Sequence, residues 1–214
     1  MATALHSYVV RYDSGFAPNP FFDYCTLATC KPKIRAAAKV GDWILGSGST
    51  SADPGQAGRL VYAMRVEEVL SWDQYSADPR FIRKRPFRRG SRKLTCGDNI
   101  YFRKSPTAPW QQRDSFHSYS DGSIDAKHLG IDTGVDRVLV SQQYLYLGGE
   151  GPAIPDIRDA RGRPLCKIGI GHSKFQDPQL IDSFVAWLHS LRMTGFKGVP
   201  YEWLSLRPKE SYGD

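Results

Sequence analysis

The chain has 214 residues, 41% of them hydrophobic, and carries 29 Lys and Arg against 22 Asp and Glu for a net charge of +7. That is enough apolar side chain for a folded core, yet no stretch approaches the roughly 18 consecutive apolar residues of a membrane span. The N-terminal MATALHSYVV has neither a basic start nor an apolar leader core, and four cysteines (Cys25, Cys30, Cys96 and Cys166) are too sparse for a disulfide scaffold. The expected setting is therefore the reducing cytoplasm, with no membrane partner.

In chain order, Ser7 to Tyr12 (SYVVRY) reads as a β-branched and aromatic strand that begins a sheet. The next stretch, DSGFAPNPFFDYCTLATCKP, reads as a loop, broken by Pro18 and Pro20 and loaded with Phe16, Phe21, Phe22 and Tyr24. Lys31 to Lys39 predicts a short helix, with Pro32 in its first turn and Gly41 as its stop. Two strands follow, Asp42 to Ser47 and a long one from Arg59 to Leu70, separated by small turn-forming residues. Ser71, Trp72, Asp73 and Gln74 fit a capping box and start another short helix.

From Arg80 to Lys93 the sequence RFIRKRPFRRGSRK holds eight basic residues and no acidic one, so this segment alone exceeds the net charge of the chain. A cluster of that kind neutralises phosphates and steers polyanions, or else is a solvated loop. Further strands are expected at Asn99 to Arg103, Arg137 to Ser141 and Tyr144 to Leu147, with a polar insertion from Lys104 to Asp136. Asp177 as N-cap and Pro178 at the first position open a helix with an apolar stripe of Leu180, Ile181, Phe184, Val185, Leu188 and Leu191. The order of elements predicts one α+β domain over residues 1–214, a mixed and partly closed β-barrel with peripheral helices.

The run AAAKVGDWILGSGS followed by GRLVYAMRVEEVLSWDQYSADPRF resembles the core of the EVE and ASCH branches of the PUA-like superfamily. More closely, YVVRYDSGFAPNPFFDYCTLATCKPKIR joined to KVGDWILGSGS is similar to the nucleotide-modification-associated domain family, type two, across most of the chain. The resemblance implies a PUA-like barrel and an association with enzymes that modify bases in DNA or nucleotides. A shared fold is a weak warrant for chemistry, so the activity has to be argued from residues.

Two regions are candidate sites. In the aromatic loop, Phe16, Phe21, Phe22 and Tyr24 offer rings on which a base can stack, and Asn19, Thr26, Ser47 and Gly48 offer polar edges. General burial tendencies would place about half of such aromatics in the core. For phosphates the candidates are Lys31, Arg35, Arg80, Lys84 and Arg85, for which a solvated face is the plain alternative. Cys25 and Cys30 have no second Cys or His pair beside them, so neither a metal nor any other cofactor is expected, and Cys25 reads better as a buried thiol than as a nucleophile.

The leading expectation is a binding module that holds a modified base or nucleotide of nucleic acid, with no catalytic residue assigned. An alternative is an enzyme on nucleotides or nucleic acid using Asp23, Asp98 or His172 as acid or base, and another is an accessory protein docking onto a modification enzyme through the C-terminal helix and the GVPYEWL segment.

Overall fold

The computed structural model of the chain describes residues 3–50, 53–167 and 169–204. In chain order the elements are β1 (Leu5–Val10), β2 (Cys25–Leu27), α1 (Pro32–Ala37), β3 (Trp43–Gly48), β4 (Leu60–Arg65) and β5 (Glu68–Leu70). Then come α2 (Trp72–Ala77), α3 (Arg92–Thr95), β6 (Tyr101–Phe102), β7 (Gln111–Gln112) and α4 (Ala126–Thr133). The last are β8 (Val138–Ser141), β9 (Tyr144–Tyr146), β10 (His172–Phe175), α5 (Pro178–Ser190), β11 (Gly195–Phe196) and α6 (Tyr201–Leu204). Contacts gather these elements into two compact units.

The first unit is built from the segment ending at Ser14, from Ala38–Glu67, and from the segment beginning at Ser141. Its six-stranded sheet runs β10-β1-β3-β4-β9-β11. The pairs β1 with β3 and β9 with β11 are parallel, and the rest are antiparallel. Every residue of β3 is buried, as expected of a central strand covered on both faces. Gly46 is required there by space, because a Cβ would lie 2.4 Å from Tyr62 Cε1 and 2.7 Å from Val10 Cγ2. Helix α5 begins as its sequence dictates: the Asp177 carboxylate accepts from the N–H groups of Gln179 (3.0 Å) and Leu180 (3.4 Å), and Pro178 occupies the first turn. Its stripe of Leu180, Ile181, Phe184 and Leu188 packs on Leu5, Trp43, Leu45, Leu145 and Phe175. That burial removes the exposed apolar stripe on which an accessory docking role would rest.

The second unit comprises Gly15–Ala37 and Glu68–Val140. Its strands form a three-stranded sheet, β2-β8-β5, and a two-stranded ribbon of β6 and β7. The core joins Phe16, Ala28, Trp72, Tyr75, Phe81, Ile100, Tyr101, Val138 and Val140. Its rings meet edge to face, with Trp72 and Tyr101 centred 5.0 Å apart, the arrangement their quadrupoles favour. The capping box at Ser71 forms as read from sequence, Ser71 Oγ accepting from Gln74 N at 3.1 Å and Gln74 Oε1 accepting from Ser71 N at 2.8 Å.

Two expectations are corrected. The strand predicted from Arg59 to Leu70 is two strands of different sheets: β4 ends at Arg65, the Val66 N–H donates to the Asp42 carbonyl at 2.8 Å, and β5 starts at Glu68. The described strands also form no closed barrel. The six-stranded sheet is open, with β10 and β11 as its edges, so the architecture is mixed α+β without ring closure.

Candidate functional site

The structure places most of the predicted base-binding and phosphate-binding residues inside the second unit, with their polar atoms engaged. Phe16 and Phe21 are buried. Asn19 donates through Nδ2 to the Cys96 carbonyl at 2.7 Å, and Thr26 donates to Asp98 Oδ2 at 2.6 Å. Lys84 is fully buried, and its ammonium donates to Asn19 O, Asn19 Oδ1 and Tyr24 O at 3.0, 2.7 and 2.9 Å. Burial brings that ammonium down to about 8 against the pull of Asp98. Arg35 is also fully buried. Lys84 and Arg35 therefore hold segments of chain together.

Arg80 is exposed but already gripped, donating to both oxygens of Glu68 at 2.6 and 2.9 Å and to Asp78 Oδ2 at 2.7 Å. Arg85 donates to the Ser76 carbonyl at 2.8 Å. Phe22 and Tyr24 keep partial exposure, as does Lys31, on which burial lowers the ammonium. Ser47 and Gly48 belong to the first unit, on β3, where the Ser47 hydroxyl donates to the Tyr8 carbonyl at 3.4 Å. A cleft of 690 Å³ in that unit, lined by Trp43, Arg65, Tyr144, Ile181 and Val185 among others, includes none of the predicted site residues.

The alternative catalytic residues are dispersed. Asp23 is exposed, and His172 lies on β10 of the first unit. Asp98 is fully buried, accepts from Thr26 and from the Tyr75 hydroxyl at 2.7 Å, and is raised by burial. Burial pushes the Cys25 thiol to about 12, so it is an inert core group as read from sequence.

A different constellation is assembled in the second unit. The polar insertion, to which the sequence assigns no site residue, supplies His117 and Asp132. His117 sits in a tight loop pinned by Ser118 N to Ser115 O at 3.1 Å, His117 N to Ser115 Oγ at 3.2 Å, and Gln112 Nε2 to His117 O at 2.5 Å. Its ring is clasped from α4, on which His128 and Asp132 stand four residues apart and so share a face. The His128 ring stacks on that of His117 with centroids 4.2 Å apart, and Asp132 Oδ2 meets His117 Nδ1 at 2.9 Å. From the other side Phe16 meets the His117 ring edge-on at 4.9 Å. The second ring nitrogen, Nε2, lies 3.4 Å from Cys30 Sγ.

Cys30 follows β2 and is held as firmly. Its N–H donates to Asp132 Oδ1 at 2.8 Å, and its carbonyl accepts from Arg35 Nε at 2.9 Å. The remaining guanidinium nitrogens donate to the carbonyls of Val135, Arg137 and Asp132 at 2.8, 2.8 and 2.9 Å, and the Tyr101 hydroxyl donates to Asp132 Oδ2 at 3.1 Å. Cys30 and Lys31 both adopt positive φ, 57° and 42°. Non-glycine residues in that region cost about 1–3 kcal/mol each and persist where the surroundings over-determine them. Thr29, one residue earlier, is fully buried with a hydroxyl that has no hydrogen-bond partner in the structure.

Chemically, a thiol, an imidazole and a carboxylate stand in series, each within reach of the next. Burial pushes His117 down, but its hydrogen bonds to Asp132 and Cys30 more than reverse this and raise it to about 10. Cys30 is partly exposed and His117 nearly buried. Among the described residues no group of three or more His, Cys, Asp or Glu side chains is placed to hold a metal ion.

Elsewhere in this unit the basic segment and its neighbours lay cations on rings. Arg83 lies 4.4 Å from the centre of the Phe22 ring, Arg88 5.6 Å from Phe116, Arg113 4.1 Å from Phe102 and Lys93 5.8 Å from Phe21. Arg83, Arg88, Arg89, Arg92 and Lys93 are exposed.

A mixed α+β protein with a basic, aromatic-backed surface and a thiol–imidazole–carboxylate series is thereby defined. The chain matches the family model described as nucleotide modification associated domain 2 over residues 2–207, and it belongs to that family. No curated protein and no solved structure matches the chain. No described helix is long and apolar enough to cross a membrane.

Proposed function

We propose that the protein binds nucleic acid, or a nucleotide drawn from it, through the basic face of its second unit, in the service of nucleotide modification. The observation that carries this reading is the run of exposed cations Arg83, Arg88, Arg89, Arg92 and Lys93, with Arg83 lying 4.4 Å from the centre of the Phe22 ring. A ring beneath it orders the Arg83 guanidinium while leaving its N–H groups for a phosphate, and a guanidinium so held can also stack on a base, whereas Arg88 is in part satisfied by Asp114 Oδ1 at 3.6 Å. Phe22 thus acts through the arginine that covers it. A modified base is distinguished, on this reading, by what it adds to that stack. Enzymes of nucleotide modification are the partners the family association favours, and the mixed sheet is compatible with the PUA-like resemblance without resting on it.

The test is a fluorescence-polarisation titration with short DNA and RNA strands, with and without modified bases, at two salt concentrations. Each phosphate contact contributes about 0.7–0.9 to the slope of log affinity against log salt, so R83Q/R89Q is expected to reduce that slope by about 1.4–1.8. Absence of binding at low salt, or an R83Q/R89Q slope equal to wild type, refutes the reading.

A further inference from the structure

We propose that Cys30 is the nucleophile of an acyl-transfer site, with His117 as its acid–base catalyst and Asp132 as the residue that positions His117. This goes beyond the binding reading and does not depend on it, except where the identity of the acyl carrier is named below.

Four observations converge. The order Cys30 Sγ, His117 Nε2, His117 Nδ1, Asp132 Oδ2, with contacts of 3.4 and 2.9 Å, is the order in which a base takes the proton of a nucleophile while a carboxylate fixes its tautomer. Cys30 is partly exposed, as is Cys166, whereas Cys25 and Cys96 are buried; of the two exposed cysteines Cys30 is the one bonded to an imidazole. The backbone at Cys30 and Lys31 is held in a conformation that non-glycine residues rarely adopt, the kind of strain that clusters where a side chain must be presented in one direction. Finally, the buried Thr29 hydroxyl has no partner within the protein. A buried polar group left over in this way calls for an explanation, and in the residue preceding the nucleophile it is a candidate donor to a developing oxyanion.

The arrangement favours an acyl carbon over other electrophiles. Thiol addition to a conjugated ring carbon expels no leaving group and needs its proton on carbon. Acyl transfer needs one group to remove the thiol proton and return it to a departing amine or alkoxide, and an imidazole bonded to the sulfur on one side and a carboxylate on the other is built for both steps. In the forward half, the proton bridging Cys30 Sγ and His117 Nε2 stays on Nε2 as sulfur bonds to the carbonyl carbon. The carbon–nitrogen or carbon–oxygen bond then breaks, and the leaving group departs with the proton from Nε2, leaving a thioester. In the second half, Nε2 takes a proton from water, hydroxide displaces sulfur, and the proton on Nε2 again bridges to the freed sulfur. Water is the only co-reactant. If the binding reading holds, the acyl carrier is a nucleotide, and an acylated exocyclic amine of a base is the substrate class.

The full chain is incubated with p-nitrophenyl acetate at neutral pH and analysed by peptide mass spectrometry. The expected result is one acetyl group on Cys30 and a burst of nitrophenolate equal to the protein present. Both should be lost in C30A, and the acylation rate should fall about 100-fold or more in H117N. Circular dichroism identifies which variants are folded. If H117N does not fold, wild type decides the matter through the site of acetylation among its four cysteines. For the positioning role of Asp132, D132N should shift the pH profile of acylation, which a purely structural defect would leave in place. No acetyl on Cys30 in folded wild type, or equal acylation rates in folded H117N, overturns the proposal. An oligonucleotide bearing an N-acetylated cytosine amine tests the carrier. Its deacetylation by wild type but not C30A supports the nucleotide assignment. Acetylation of Cys30 by the ester combined with an inert oligonucleotide overturns that assignment alone, and the salt titration separately reports whether the oligonucleotide binds.

Discussion

Arg35 allows a sharp separation of structural from ligand-binding roles, because the sequence reading made it a phosphate contact and the structure buries it completely. Its guanidinium donates to four backbone carbonyls, those of Cys30, Asp132, Val135 and Arg137, at 2.8–2.9 Å. Hydrogen bonds from a charged donor contribute about 1.5–3 kcal/mol each, and four would sum to about 6–12. Removing the cation also returns the cost of burying it, and breaking a buried charged contact by deleting one partner costs about 3–5 kcal/mol in practice. R35M is therefore expected to lose about 3–5 kcal/mol and, for a chain of this length, on the order of 10 °C in Tm. R35K should fare little better, since an ammonium has three donors and no planar fork with which to span these carbonyls. Urea unfolding followed by fluorescence reads the loss, helped by Trp72, whose ring lies 5.8 Å from the guanidinium carbon. An R35M variant with an unchanged urea midpoint and weakened oligonucleotide binding would refute this account and restore Arg35 as a phosphate ligand.

Lys84 titrates near 8 in the folded protein against about 10.4 unfolded. The unfolded chain then holds the additional proton between those values, so the stability of wild type relative to K84M should rise with pH across that window; a flat difference in urea midpoint would contradict the burial argument. His117 has the opposite sign. Raised to about 10 from about 6.5, it contributes stability that is complete below pH 6.5 and lost as pH rises through 10. A ring titration by NMR should find it still protonated at pH 7.5, and a midpoint below 7 would refute the assignment. T29V removes a buried hydroxyl that has no partner, so it should leave the urea midpoint unchanged or raise stability by about 1–2 kcal/mol; a loss above about 1 kcal/mol would show that the hydroxyl is bonded. G46A forces a Cβ to within 2.4 Å of Tyr62 Cε1 and should cost about 1–3 kcal/mol by thermal unfolding, a prediction that fails if Tm is unaltered.

The parts of the fold that were legible in the sequence are those where local chemistry decides the outcome. Ser71 and Gln74 cap α2 reciprocally, and Asp177 with Pro178 opens α5, because side chains three residues apart can satisfy free N–H groups whatever surrounds them. The break between β4 and β5 was hidden, because Val66 and Glu67 continue the apolar pattern of a strand while the chain passes into another sheet. Lys84 and Arg35 were misread for a related reason: a charged side chain looks solvated until three or four carbonyls from distant segments close around it. The thiol centre was the least legible. Cys30 is separated from His117 by 87 residues and from Asp132 by 102, and no spacing rule joins residues that only the fold makes neighbours. The sequence did carry one usable signal, a cysteine ahead of an insertion holding two of the five histidines of the chain. From sequence that insertion stands out only as polar. Its polarity is better explained by its contents: a loop that fixes His117 and a helix that presents His128 and Asp132 to it on one face.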